Sequence, residues 1–133
     1  MAHRKLASFQ WHVRLVRAAC GAYAASGFQR IFADLPGQRP PRSLHLAGFS
    51  PSRPDLTCRD PANRLVVVEV ETCDTLHLEE TAQQWRLFRA YADACGGEFH
   101  LVVPEECRPQ ALQLLLELGL RADRVLGFPL AGA

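Results

Sequence analysis

The sequence predicts an α/β domain built on a mixed β-sheet flanked by helices. Three observations carry this expectation. A helix-period stretch opens the chain, two strand-like segments flank a four-residue turn near its middle, and the second half alternates helix and strand patterns. The 133 residues are expected to form one domain, 1–133, long enough to bury a core without disulfides or a structural metal to staple it. A composition that is 48% hydrophobic and 22% charged excludes disorder, collagen and coiled coil.

Over residues 8–26, Phe9, Val13, Val16, Cys20 and Tyr23 recur at steps of four, three, four and three, with Arg14 and Arg17 off that stripe. This predicts an amphipathic helix with Ser8 as its N-cap and Gly27 just past its end. Segments 30–33 and 43–47 read as short strands, separated by the loop Pro36-Gly37-Gln38-Arg39-Pro40-Pro41, which cannot sit inside a sheet. Segments 54–59 and 64–72 flank Asp60-Pro61-Ala62-Asn63 and read as a β-hairpin. A second helix is expected over about residues 77–95, with Leu78, Ala82, Trp85, Phe88, Ala92 and Cys95 on its apolar face and Gly96-Gly97 stopping it. Residues 99–103 then form a buried strand, 109–118 a third helix with Pro109 in its first turn and Gly119 after it, and 124–128 a last short strand.

Cys20, Cys58, Cys73, Cys95 and Cys107 contain no Cys-x-x-Cys pair, and their odd count and irregular spacing predict reduced, mostly buried thiols. His3, His12, His45, His77 and His100 give no His-x-x-x-His pair and are expected to be ordinary core or surface residues. The basic N-terminal residues are followed by no apolar run, and stretches such as 65–68 fall far short of a membrane span. A cytoplasmic protein without membrane contact is expected.

The net charge of +1 conceals an asymmetry. Up to Arg64, ten basic residues face three acidic ones, a balance of +7; from Leu65 onward five arginines face eleven acids, a balance of −6. Lys5 is the single lysine beside fourteen arginines.

The chemistry is concentrated in the hairpin. Strand residues alternate faces, so Leu65, Val67, Glu69 and Glu71 share one side and Val66, Val68, Val70 and Thr72 the other. Both faces begin apolar, the mark of a central strand, where charges are costly unless compensated. With the turn centred near Ala62, Asp55 stands opposite Glu69 on the same face, their Cβ atoms about 5 Å apart, and a slip of one residue would turn Asp55 away. In this register Asp55, Glu69 and Glu71 converge. A hard divalent cation with oxygen ligands relieves such repulsion, which points to Mg²⁺ or Mn²⁺.

Pro54-Asp55, thirteen intervening residues, then Glu69-Val70-Glu71 at the end of an apolar strand resembles the PD-(D/E)xK nuclease superfamily. The resemblance covers most of the chain, whose element order is similar to the restriction endonuclease-like α-β-β-β-α-β core of type II restriction enzymes and archaeal Holliday-junction resolvases. It implies a nuclease that hydrolyses DNA phosphodiester bonds with a divalent ion held by Asp55, Glu69 and the main-chain carbonyl of Val70. It also implies a helix glutamine aimed at the site, at Gln84 beside Trp85, with Gln83 an equally placed rival. Where the superfamily has its last motif lysine this chain has Glu71, a replacement that occurs in the superfamily, and no lysine in the core can substitute. Arginine can stabilise phosphate charge but stays protonated and is a poor proton acceptor, so Glu71 would assist water or hold a second ion.

Arg53 and Arg59 flank the acids in sequence and, with Arg14, Arg17 and Arg64, are the expected contacts to nucleic-acid phosphates. Trp85, Phe88 and Tyr91 offer rings for base stacking, although two of them lie on or beside the packing stripe of their helix, which favours the core. By analogy with the family, the expected partners are DNA and a second copy in a symmetric dimer, or a larger assembly. The alternatives are a nuclease-fold module without turnover that binds nucleic acid or a protein, and an unrelated α/β interaction domain whose acids are surface charges.

Overall fold

The computed structural model describes residues 6–129; His3, Arg4 and Lys5 lie outside the described residues. Helix α1 (Leu6–Ala25) leads into a meander of β1 (Gln29–Ala33), β2 (Leu56–Arg59) and β3 (Leu65–Val70), followed by α2 (Glu79–Cys95), β4 (Glu98–Pro104), α3 (Arg108–Leu118) and β5 (Arg124–Phe128). The five strands lie in chain order in one mixed sheet. β1, β2 and β3 pair antiparallel, whereas β3, β4 and β5 are parallel because α2 and α3 carry the chain back across the sheet. The expected α/β class and mixed sheet with flanking helices are present.

β3 explains the arrangement. Val66, Val68 and Val70 pack with Leu15, Val16, Ala19 and Tyr23 of α1, while Val67 packs with Trp85 and Phe88 of α2 and with Ala111 and Leu115 of α3. A strand apolar on both faces is thereby covered on both faces. Phe88 is fully buried, which contributes about 2–3 kcal/mol relative to leaving it in water. At the end of α2, Gly96 adopts φ +67 and donates its N–H to the carbonyls of Ala92 and Asp93. Gly97 then passes so close to β3 that a Cβ there would lie 2.3 Å from the Leu65 carbonyl oxygen. The hairpin turn is closed by Asp60, whose Oδ1 accepts the N–H groups of Ala62 and Arg64, with Asn63 at φ +66.

Four expectations need correction. Ser8 is inside α1, not its N-cap, and its hydroxyl contacts Thr72 Oγ1 and Asp74 Oδ1. The first turns of α1 therefore lie beyond the end of β3, which leaves Phe9 exposed and moves the buried stripe to Leu15, Val16, Ala19 and Tyr23. Segment 43–47 is not a strand: Leu44 forms one bridge with Ser52 and packs on the α2 core, because Pro40 and Pro41 precede it and Gly48 at φ +88 folds it back. Helix α2 starts at Glu79, after Leu78 in extended conformation, and Cys95 at its end is exposed.

The fourth concerns the cysteines. Cys73 and Cys107 form a disulfide across 34 residues of sequence, joining the turn after β3 to the turn before α3. Cys58 is buried, Cys20 half-buried and Cys95 exposed. The pairing follows from the β3-α2-β4 crossover, which returns the end of β4 to the end of β3, and that proximity leaves no spacing signature. No helix among the described residues is long and apolar enough to cross a membrane.

Candidate active site at the end of the central hairpin

The β2–β3 register has Leu56 opposite Val68, Thr57 opposite Val67, Cys58 opposite Val66 and Arg59 opposite Leu65. Extended by one residue it places Asp55 opposite Glu69, and the two residues do touch: the Asp55 N–H donates to Glu69 Oε1 at 3.2 Å. One step further, Pro54 stands opposite Val70. Proline has no N–H to give the Val70 carbonyl, so the ladder ends there. The Val70 N–H turns to Asp55 Oδ2 at 2.8 Å. A residue's N–H and C=O leave a strand on the same side, so the Val70 carbonyl is directed at the same gap.

Helix α1 contributes a residue that the sequence did not single out. His12 Nε2 lies 3.0 Å from Asp55 Oδ1, with both side chains largely shielded, at 12% and 15% exposure. The nitrogen is buried and lies off the line of a directed hydrogen bond. Only the packing of α1 across the end of the sheet brings His12 there, and no spacing in the sequence encodes it.

The two carboxyls are driven apart in acidity. Burial pushes Asp55 up, but His12, Glu69 and the Val70 N–H outweigh it and hold Asp55 below the ordinary carboxylate value. Burial and the Asp55 charge push Glu69 well above its ordinary value, with Glu71 adding to the effect. The pair therefore favours one negative charge, carried on Asp55, and one proton, carried on Glu69.

Glu71 shares the face of Glu69 but turns toward α2. Its Oε1 accepts the Thr75 hydroxyl at 2.6 Å and its Oε2 the Trp85 indole N–H at 3.3 Å, at 2% exposure. Trp85 and Phe88 are fully buried in the core. Gln84 donates to Ser52 Oγ at 3.2 Å, and it lines with Gln83 a cleft of about 700 Å³ between α2 and the 48–52 loop. Arg53 is exposed next to Pro54; Arg59 is half-buried and donates to the Asn63 carbonyl at 3.3 Å. Arg14 and Arg17 are exposed on α1, Arg14 lying over the Trp11 ring. Arg64 is paired with Asp60 at 2.8 Å.

Among the described residues, no three His, Cys, Asp or Glu side chains are gathered into a group that could hold a metal ion by themselves. The oxygens of Asp55 and Glu69 and the Val70 carbonyl are nonetheless hard donors at one point, a set that suits Mg²⁺ or Mn²⁺ completed by water. Compared with known proteins, the chain matches no family model, no curated protein and no solved structure.

Proposed function

We propose that the protein is a Mg²⁺- or Mn²⁺-dependent phosphodiesterase acting on DNA, with a restriction endonuclease-like core and with Asp55 and Glu69 at its centre. The observation that carries this reading is the pair itself: two largely shielded carboxyls of opposed acidity at the end of a central hairpin, with His12 Nε2 3.0 Å from one of them. Pairs of carboxyls whose surroundings drive their acidities apart are where function concentrates.

Asp55, Glu69 and the Val70 carbonyl would hold the ion, which when bound supplies charge stabilisation at a phosphoryl oxygen and a more acidic water. The chain's own residues set the geometry. The Val70 N–H and His12 fix the Asp55 carboxylate, and the Asp55 N–H fixes Glu69. Thr75 and Trp85 hold Glu71 close behind Glu69, where its charge acts on the pair. Gln84 and Ser52 wall the neighbouring cleft, and Arg53 and Arg59 stand beside the hairpin to meet phosphates. In the hydrolysis a water oxygen bonds to phosphorus as the bond to the departing sugar oxygen breaks, and the proton released from water ends on that oxygen.

One observation favours a second reading. Glu71, in the place of the motif lysine, already has both oxygens engaged, which suits a module that binds nucleic acid or a protein partner without turnover. Incubation of the full chain with plasmid, single-stranded and branched DNA in Mg²⁺ or Mn²⁺ separates the two. Cleavage that disappears in Asp55→Asn and Glu69→Gln is expected. DNA bound but never cut in either ion would transfer the weight to the second reading.

A further inference from the structure

A second cleft, of about 800 Å³, opens on the same sheet face toward the opposite end of the hairpin. Arg30, Arg39, Arg42 and Arg59 line it, with Phe32 and Tyr91. All four arginines come from the basic first half of the chain. None of them forms an ion pair with a carboxylate of the described residues. Asp60, the acid next to Arg59, is engaged instead by Arg64 and by the turn N–H groups. Four guanidinium groups at one concavity repel each other unless an anion joins them, and their planar forks match phosphate.

The backbone also departs from regular geometry to present one of them. Arg30 has φ +52, in the left-handed region, at the irregularity in the β1–β2 register between Gln29 and Phe32. Bulges of this kind re-aim a side chain at a functional edge. The Arg39 guanidinium lies over the Phe32 ring, 5.5 Å from its centroid. A cationic groove interleaved with aromatic rings is how proteins hold unpaired bases by stacking and their backbone by charge. A duplex keeps its base faces stacked inside and cannot offer them to Phe32 or Tyr91.

We propose that this cleft is a track for a single nucleic-acid strand, gripped through its phosphates by Arg30, Arg39, Arg42 and Arg59 and stacked on Phe32 and Tyr91. Thr57, in the wall of the cleft, shares its sheet face with Asp55 and lies two residues along the strand from it, about 7 Å. Delivery of the strand to Asp55 and Glu69 rests on the phosphodiesterase reading; its binding does not.

The test is fluorescence anisotropy of a labelled single strand of about 12 nucleotides with the full chain in EDTA, so that no cleavage occurs and the carboxylate pair is metal-free. The wild type should bind the single strand at least about tenfold more tightly than a duplex of the same sequence. Arg30→Ala/Arg59→Ala should weaken binding about tenfold or more and reduce the dependence of log affinity on log salt by about 1.4. Arg39→Ala/Arg42→Ala, at two exposed loop positions, should do the same without disturbing β1 or β2. Arg124→Ala, exposed at the start of β5 and outside the cleft, should leave single-strand binding within about twofold of the wild type. Absence of binding by the wild type at about 50 mM salt, preference for the duplex, or equal loss in Arg124→Ala would overturn the proposal. Because metal is excluded, any of these results leaves the carboxylate site to be judged by its own titration.

Discussion

Two groups of acids stand at opposite ends of this sheet, and they differ in what faces them. Near the start of β4, Asp123 accepts the Phe99 N–H and the Arg89 guanidinium at 2.9 and 3.0 Å, and Arg89 also holds Asp93 at 2.7 Å and the Arg121 carbonyl at 2.9 Å. Arg121 joins Asp123 as well. Two acids and two arginines thus close on one another. At the end of β3, Asp55 and Glu69 face each other with His12 beside Asp55. The first arrangement pairs each carboxylate with a guanidinium and so holds α2 to the segment before β5. The second sets two carboxyls against each other, one of them pushed toward its protonated form, and a site that tolerates such frustration is one where binding can relieve it.

The largest expected effect comes from breaking the balanced group. Arg89 is 7% exposed, so Arg89→Leu removes the buried one of the two guanidinium groups on Asp123 and should cost about 3 kcal/mol in urea denaturation. A loss below about 0.5 kcal/mol would mean that this network is decoration and the contrast is empty. Next is the disulfide, which anchors the turn carrying Thr75 behind Glu71. Its removal in Cys73→Ser/Cys107→Ser should lower stability by about 2–4 kcal/mol, read from melts in the absence of reductant. The sharpest contrast is smaller. Glu69→Gln removes a raised carboxyl beside a like charge and should leave stability unchanged or increase it by up to about 1 kcal/mol, whereas Asp123→Asn should destabilise by about 1–2 kcal/mol. Equal losses at the two sites would erase the distinction.

The smallest effect tests a third buried polar set. Tyr23 Oη and Glu98 Oε1 flank His100 at 2.6 and 2.8 Å, and burial lowers the pKa of His100 below its ordinary 6.5. The unfolded chain then binds the proton more readily than the folded one, so this stability is present above about pH 6.5 and lost as pH falls. The melting temperature of the wild type should drop more between pH 7.5 and 5.5 than that of His100→Gln, with the difference between them isolating the histidine.

The hairpin was the most legible part of the sequence, because its register depends only on local features. Asp60-Pro61 and Asn63 define the turn, and the alternation of β3 fixes which residues face which helix; together they put Asp55 beside Glu69 before any tertiary contact is considered. What depends on the packing of distant elements was not legible. His12 reaches Asp55 because α1 crosses the end of the sheet, and Cys73 meets Cys107 because a parallel crossover returns to the same end. Segment 43–47 has a strand's pattern but no partner edge, so its leucines cover α2 instead. Glu71 had the right face and an unforeseen neighbour: the Trp85 indole and the Thr75 hydroxyl hold it, and neither bond is visible without the helix in place.

If the facing carboxyls of Asp55 and Glu69 form a metal site, Mn²⁺ titration by calorimetry reads it without any substrate. The metal-stripped wild type, Asp55→Asn, and Asp93→Asn from the balanced group are compared at one pH. One Mn²⁺ site is expected in the wild type, retained in Asp93→Asn and lost in Asp55→Asn. A wild type that binds no Mn²⁺, or binding that survives Asp55→Asn, would rule out a metal centre at this pair.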